Sequence, residues 1–252
     1  RFANHSESWG KFLDVKVWPT IKHPEKYAGK ELFLSSVTDP YNSQEEIYKR
    51  TRCLLEQLQG IDIKLSIQTK SDLVLRDLEL IKTFPNARVG FSINTLDETF
   101  KNDMDCAVSI ERRLYAMKKL HDAGIRTSCF ISPIFPGITD VKAIIDQVKH
   151  QCNWIWLENL NLRGSYRTVI LDYISEKYPQ LIPLYKEIYQ DKNRLYWQTL
   201  DKTLYSYAKE IGLDYVWNDD SIKKPFDALP TIVNFFYHEE IKKSAQKEKL
   251  SS

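Results

Sequence analysis

No two of the four cysteines, Cys53, Cys106, Cys129 and Cys152, stand close enough to make a C-x-x-C pair. Zinc and cluster sites in small folds depend on such pairs, and disulfide frameworks belong to shorter secreted chains. The thiols therefore read as reduced and mostly buried. An excess of one charge is also missing: 36 basic against 34 acidic residues leave a formal charge of +2. No global field draws in a polyanion, so nucleic-acid binding would need a local patch. No run of about 18 apolar residues is present to cross a bilayer, and no basic, apolar, small-residue signal peptide opens the chain. The expectation is a cytoplasmic protein with no membrane partner. The five histidines sit at no ligand spacing. Neither G-x-G-x-x-G nor G-x-x-x-x-G-K-[ST] occurs, which leaves dinucleotide and P-loop sites unsupported.

What is present is a rhythm. The 252 residues, 42% of them apolar, suit one globular domain or a barrel-like domain with an appendage. Phe12 to Trp18 alternates as a short strand ended by Pro19. Leu32, Phe33 and Leu34 then form a buried strand that exits on Ser35, Ser36, Thr38 and Asp39 before Pro40. Gln44 to Gln59 reads as a helix with Ser43 as cap, acidic Glu45 and Glu46 in its first turn and Gly60 as stop. The strand IDIKLSIQTK ends on Thr69 and Lys70, and Ser71 caps a helix broken at Pro85 and Asn86. ARVGFSIN ends on Ser92 and Asn94, followed by a polar loop from Thr95 to Cys106. A helix from Ser109 to Asp122 stops at Gly124, IRTSCFISPI is a strand, and Thr139 or Asp140 caps a helix to His150 before the strand WIWLENLN.

Strands alternating with helices of this length make an α/β fold with a parallel sheet, open or a partial barrel. After about Gly164 the segments turn helical and aromatic. Residues 153–237 carry more than half of the aromatic residues. Two units follow, 1–164 with the sheet and 165–252 as a C-terminal helical extension. The terminal KKSAQKEKLSS reads as a fraying helix end or a disordered tail.

In parallel folds the carboxyl ends of strands build the site. Here they offer Ser36, Thr38 and Asp39, then Thr69 and Lys70, then Ser92 and Asn94, then Ser132 before Pro133. Hydroxyls, an amide, an ammonium and a carboxylate in one space suit a small zwitterionic ligand, with Lys70 meeting its carboxylate. The plainer reading is that these residues satisfy turn backbone and that Lys70 is solvated beside the helix cap.

The segments SSVTDPYNSQE, TRCLLEQL, IQTKSDLVLRDLEL, VGFSINTLDE, ERRLYAMKKLHDAGI and SPIFPGITD, taken together, resemble the radical S-adenosylmethionine (SAM) proteins related to spore photoproduct lyase. The resemblance covers roughly residues 12–160. It implies a partial (β/α)6 TIM-like barrel with the C-terminal extension closing its open side. It also implies an enzyme that cleaves SAM reductively to a 5′-deoxyadenosyl radical, with a 4Fe-4S cluster and an electron donor such as flavodoxin or ferredoxin. The substrate would be a small molecule or a nucleic acid. By position, Lys70 would hold the SAM carboxylate, and Ser92 with Asn94 its amino or ribose part. Ser36, Thr38 and Asp39 would line the catalytic cavity, Pro133 and Ile134 the adenine side, and Arg113 would brace the site or else be an exposed helix charge.

The family's C-x-x-x-C-x-x-C signature does not occur in the sequence. Its cysteines are expected upstream of Arg1, and no residue of the chain is assigned as a metal ligand. In spore photoproduct lyases a hydrogen-donating cysteine matches Ser36, and an alcohol is a poorer hydrogen-atom donor than a thiol. Thymine-dimer repair is therefore not inherited.

Two other readings compete. Lys70 could be a Schiff-base lysine with Asp39 as acid or base. A non-catalytic barrel could bind nucleic acid or a partner through aromatic residues such as Trp197 and Trp217. Tyr178, Tyr185 and Tyr189, at helical spacing, read as packing, and Asp219 with Asp220 as a turn or cap.

Overall fold

The computed structural model describes residues 11–17, 19–34, 37–164, 166–217 and 230–234. Among the described residues seven strands lie in one sheet: β1 (Glu31–Leu34), β2 (Lys64–Thr69), β3 (Arg88–Ser92), β4 (Arg126–Ile134), β5 (Trp154–Asn159), β6 (Asp214–Trp217) and β7 (Thr231–Asn234). Their order is β1-β2-β3-β4-β5-β7-β6 and every pairing is parallel. The rhythm implies the parallel α/β sheet, and of the two forms it leaves open the chain takes the partial TIM-like barrel that the resemblance implies.

Register decides what each face carries. Leu65, Ile67, Val89, Phe91, Cys129, Ile131, Ile155 and Leu157 alternate along their strands onto one face and are buried in the main core. The helices pack there. The opposite face carries Phe33, Ser66 and Arg88 in one row, Gln68, Gly90 and Ser128 in the next, and Ser92, Phe130 and Trp156 above them. A sheet covered by helices on one side keeps that second, mixed face for a hollow.

The helices are α1 (Glu45–Tyr48), α2 (Arg50–Leu58), α3 (Leu78–Ile81), α4 (Glu98–Met104), α5 (Ile110–Asp122), α6 (Val141–Val148), α7 (Tyr166–Lys177), α8 (Ile182–Tyr189) and α9 (Leu195–Glu210). Those packed on the sheet bury a stripe at helical spacing: Ile110, Arg113, Ala116, Met117 and Leu120 in α5, and Val141, Ile144, Ile145 and Val148 in α6. Each fully buried aliphatic side chain contributes about 1.5–3 kcal/mol.

A second cluster forms at the carboxyl ends of the strands. Phe100 of α4, Phe135 after β4, and Leu160 and Leu162 after β5 bury against Ile174 of α7 and Tyr185 of α8. Phe100 meets the Phe135 ring edge-on at 5.0 Å. The aromatic helices after Gly164 thus sit on the same end of the sheet as the strand exits. Tyr185 and Tyr189 are packing residues, as the spacing reads.

Several expectations change. The strand expected at Phe12 to Trp18 does not form over residues 11–17, and Trp18 lies outside the described residues. Val17 is 82% exposed, so the alternation there has no buried face to serve. The single helix expected from Gln44 to Gln59 is two, because Lys49 takes a left-handed conformation (φ 49°). Glu45, not Ser43, then supplies the caps: its carboxylate accepts from Thr51 N at 2.9 Å and Arg52 N at 3.1 Å at the start of α2. The loop from Thr95 to Cys106 contains α4, capped by Asp97. After residue 164 the chain is helical as expected, but β6 and β7 also return to the sheet, with β7 pairing β5. Asp219 and Asp220 lie outside the described residues.

Candidate functional site

Three loops meet above the sheet, those after β1, β2 and β3. They enclose a cavity of about 680 Å³ whose wall includes Asp39, Asn42, Lys70, Ser71, Ala107 and Arg112. Its framework is a set of charge-assisted hydrogen bonds between the loops.

Asp39 is fully engaged. Its Oδ1 accepts from Tyr41 N at 2.8 Å and from the Thr69 hydroxyl at 2.7 Å, and its Oδ2 from Lys70 N at 2.7 Å. The carboxylate therefore ties the exit of β1 to the exit of β2. Lys70 is aimed outward by that bond. Its ammonium donates to Asp105 Oδ2 at 2.8 Å, with the side chain 40% exposed.

Asp105 gathers cations. Besides Lys70 it accepts from Arg113 Nη2 at 2.8 Å and from Ala107 N at 3.0 Å, and Lys101 Nζ stands 3.8 Å away. Burial works against its charged form, but the hydrogen bond and charge of Lys70 and the charge of Arg113 prevail and hold its carboxyl below the ordinary range. Arg113 is 1% exposed and not a surface charge. Its Nε donates to Val108 O at 3.0 Å and its Nη1 to Ser92 O at 3.0 Å, so α5 fixes both the loop and the end of β3.

Lower on the same side, Ser92 Oγ accepts from Gln68 Nε2 at 3.2 Å, Asn94 Nδ2 donates to Pro133 O at 3.3 Å, and the Thr139 hydroxyl donates to Asn94 O at 3.0 Å. Ser132 donates to Glu158 on β5. A smaller cavity of about 230 Å³ lies in the hollow face, lined by Phe33, Ser66, Gln68, Gly90, Ser128, Phe130 and Trp156 with Arg88.

The strand-exit residues are thus brought together in part. Asp39, Lys70, Arg113 and Ser92 join one network through Asp105, and Asn94 and Pro133 form a second, with Thr139. Thr38 is exposed and lines, with Asp39, a separate cavity of about 280 Å³. Ile134 is wholly buried in the core. Ser36 lies outside the described residues. Sequence reading missed Asp105, Lys101, Gln68 and Glu158. Nothing local marks them, because their roles depend on partners on other strands or loops. The Arg76-Asp77 pair of TKSDLVLRD is structural: Asp77 is buried and takes Arg52 Nη1 at 2.6 Å and Arg76 Nη2 at 2.7 Å, clamping α2 to the turn after β2.

The described residues do not suit an iron–sulfur cluster. Among the described residues no group of three His, Cys, Asp or Glu is placed to hold a metal. Cys129 and Cys152 are buried, and burial pushes the Cys152 thiol up to about 12, away from the thiolate a cluster needs. Cys53 is half-buried and Cys106 exposed.

Comparison with known proteins gives a consistent picture. The sequence profile of the radical SAM superfamily matches residues 20–148. An uncharacterised protein of Methanocaldococcus jannaschii is 37% identical over 173 residues, covering 68% of this chain and 66% of the relative. An uncharacterised protein of Acidianus two-tailed virus is 27% identical over 188 residues, covering 71% of this chain and 60% of its own. The chain therefore spans roughly two thirds of the length of these relatives. Among solved structures, Streptococcus suis SuiB bound to S-adenosylmethionine shares the fold, with a TM-score of 0.50, 12% identity, and coverage of 76% of this chain and 37% of that one.

Proposed function

This chain belongs to the radical SAM superfamily, and on that premise we propose that it forms the SAM-binding and substrate-binding part of an enzyme that reductively cleaves SAM to methionine and a 5′-deoxyadenosyl radical. The observation that carries the proposal is the cavity of about 680 Å³ at the strand exits with the Lys70 ammonium on its wall. SAM, when bound, supplies a sulfonium whose cleavage yields the radical. The chain's own residues bind and orient it. Lys70 takes the carboxylate of the methionyl part on the cavity wall; Ser92 and Asn94 at the next strand exit, outside that wall, take the amino or ribose groups, and the turn at Pro133 the adenine side. Arg113 and Asp105 hold these groups in register, while Thr38, Asp39 and Ser36 belong to the approach to the cavity.

The cysteines of this chain form no cluster site, so no step is assigned to one. The division into a sheet-bearing unit, 1–164, and a helical extension, 165–252, an electron donor of the flavodoxin or ferredoxin kind, and a cytoplasmic setting are parts of the same proposal.

The competing readings fit less well. Forming an imine would break the Lys70–Asp105 ion pair, whereas a carboxylate takes one of the two N–H donors which that pair leaves. Stacking of bases on Trp197 is opposed by its position in the core, where it is buried.

The test is isothermal titration of the protein with SAM. Lys70→Ala is expected to weaken binding at least tenfold, about 1.4 kcal/mol. Unchanged affinity would overturn the assignment of the carboxylate to Lys70.

A further inference from the structure

The smaller cavity in the hollow face carries more than a place for a substrate. We propose that it selects a flat, uncharged ring whose edge presents one hydrogen-bond donor beside one acceptor, a planar lactam. This rests on the proposed function in one respect, that the hollow beside the SAM cavity is the substrate compartment.

The cavity wall is aromatic on both flanks. Phe33 on β1 stands on one side, and Phe130 on β4 with Trp156 on β5 on the other. Phe33 is 52% exposed, and a large apolar surface turned into a hollow gains from being covered by another ring. The volume of about 230 Å³ lies below the roughly 300–1,000 Å³ of pockets for drug-sized ligands, so it suits a single ring or a fused pair.

Charge on the ligand is poorly matched here. Among the described residues on this wall only Arg88 is ionisable, and its charge is offset by Glu31: Nε donates to Ser66 Oγ at 2.8 Å and Nη2 to Glu31 at 3.1 Å. That arrangement closes the amino-terminal end of the hollow. A cation would meet no carboxylate among the lining residues, and an anion would set its charge against the Gln68 Oε1 acceptor.

The floor carries the specificity. Gln68 on β2 and Ser128 on β4 lean together over Gly90 on β3, which lies between them in register. A Cβ on Gly90 would stand 2.1 Å from Gln68 Oε1 and 2.7 Å from Ser128 Oγ. The glycine is not there for a left-handed φ, and a Cβ would displace the tips of these two side chains from their present positions. It allows a side-chain carbonyl and a hydroxyl to sit side by side. Gln68 spends its amide nitrogen on Ser92, while its Oε1 and the Ser128 hydroxyl have no hydrogen-bond partner among the described residues. An acceptor and a donor held beside each other read the N–H and C=O of a lactam, and ligands lacking either leave a polar group unpaired.

The proposal is tested by ligand-observed NMR titration with three probes: 2-pyridone, which is flat and has the lactam edge; 2-piperidone, which has the edge but is puckered; and benzoate, which is flat and charged. Saturable binding of 2-pyridone, at least tenfold tighter than of the other two, is expected. Gly90→Ala should weaken it at least tenfold. Because that variant shifts its neighbours, Gln68→Leu and Ser128→Ala, which add no volume at the glycine, are measured as well and should each weaken 2-pyridone binding; SAM affinity should be unchanged in Ser128→Ala, whereas Gln68→Leu also removes the bond to Ser92. Equal binding of the three probes, or 2-pyridone binding that survives both Gln68→Leu and Ser128→Ala, would overturn the proposal. Lys70 lies in the other cavity, so a failure of the SAM assignment leaves this titration readable by itself.

Discussion

Asp105 is where a single residue has the widest reach. It joins the ammonium of Lys70 to the buried guanidinium of Arg113, and so connects the loop after β2 to α5. Removing one partner of a buried ion pair leaves a charge uncompensated, at a cost of about 3 kcal/mol. Asp105→Asn is expected to lower the stability measured by urea denaturation by that amount. The pH dependence has a definite sign. The folded carboxyl is held below its ordinary value of 3.8, so the folded state favours the ionised form. The stabilisation is complete above the unfolded value and is lost as pH falls through the folded one. The stability gap between the wild type and Asp105→Asn should therefore be constant near neutrality and shrink as pH drops below about 4. A gap independent of pH down to 2 would contradict this.

At the scale of elements, the caps show how local chemistry and tertiary contact divide the work. Ser71 caps as its position in the sequence implies, accepting from Leu73 N at 3.2 Å, and Ser109, read as the first residue of its helix, is its cap, accepting from Arg112 N at 3.3 Å. For α6 both Thr139 and Asp140 are suitable by type. Asp140 takes the role, accepting from Ala143 N at 3.0 Å, because Thr139 is buried between Phe135 N and Asn94 O. Asp140→Ala should cost about 1 kcal/mol, the usual worth of such a cap, with SAM binding unaffected. A loss of SAM affinity in this variant would show that the cap also positions Asn94. The split of the first long helix into α1 and α2 was not legible, since it arises from Glu45 turning its carboxylate onto the start of α2 while Arg76 Nη2 holds it at 2.8 Å from the next loop.

At the scale of the whole molecule, the sheet does not end with the segment matched by the family profile. The chain passes through α7, α8 and α9 and returns as β6 and β7, which extend the sheet beyond β5. Helices on either side of residue 164 share one core, in which Trp197, Leu204 and Ala208 of α9 join the strand residues. Denaturant unfolding followed by far-ultraviolet and by near-ultraviolet circular dichroism should give coincident single transitions. Two separated transitions would mean that 165–252 folds as an independent unit.

The sequence by itself determined the alternation of strands and helices, the apolar rows that face the helices, the cap at Ser71, and the gathering of polar residues at the strand exits. These depend on periodicity and on neighbours a few residues away, which the order of residues contains directly. Only the tertiary structure decided that Asp105 partners Lys70 and Arg113, that Arg113 is buried, that Ile134 belongs to the core, and that Gln68 and Ser128 meet over Gly90. Each of these is a contact between separate elements, fixed by register and crossover geometry. The same reason explains why the alternating residues 12–17 form no strand: alternation gives a segment two faces, but a strand also needs a paired neighbour and a core to face.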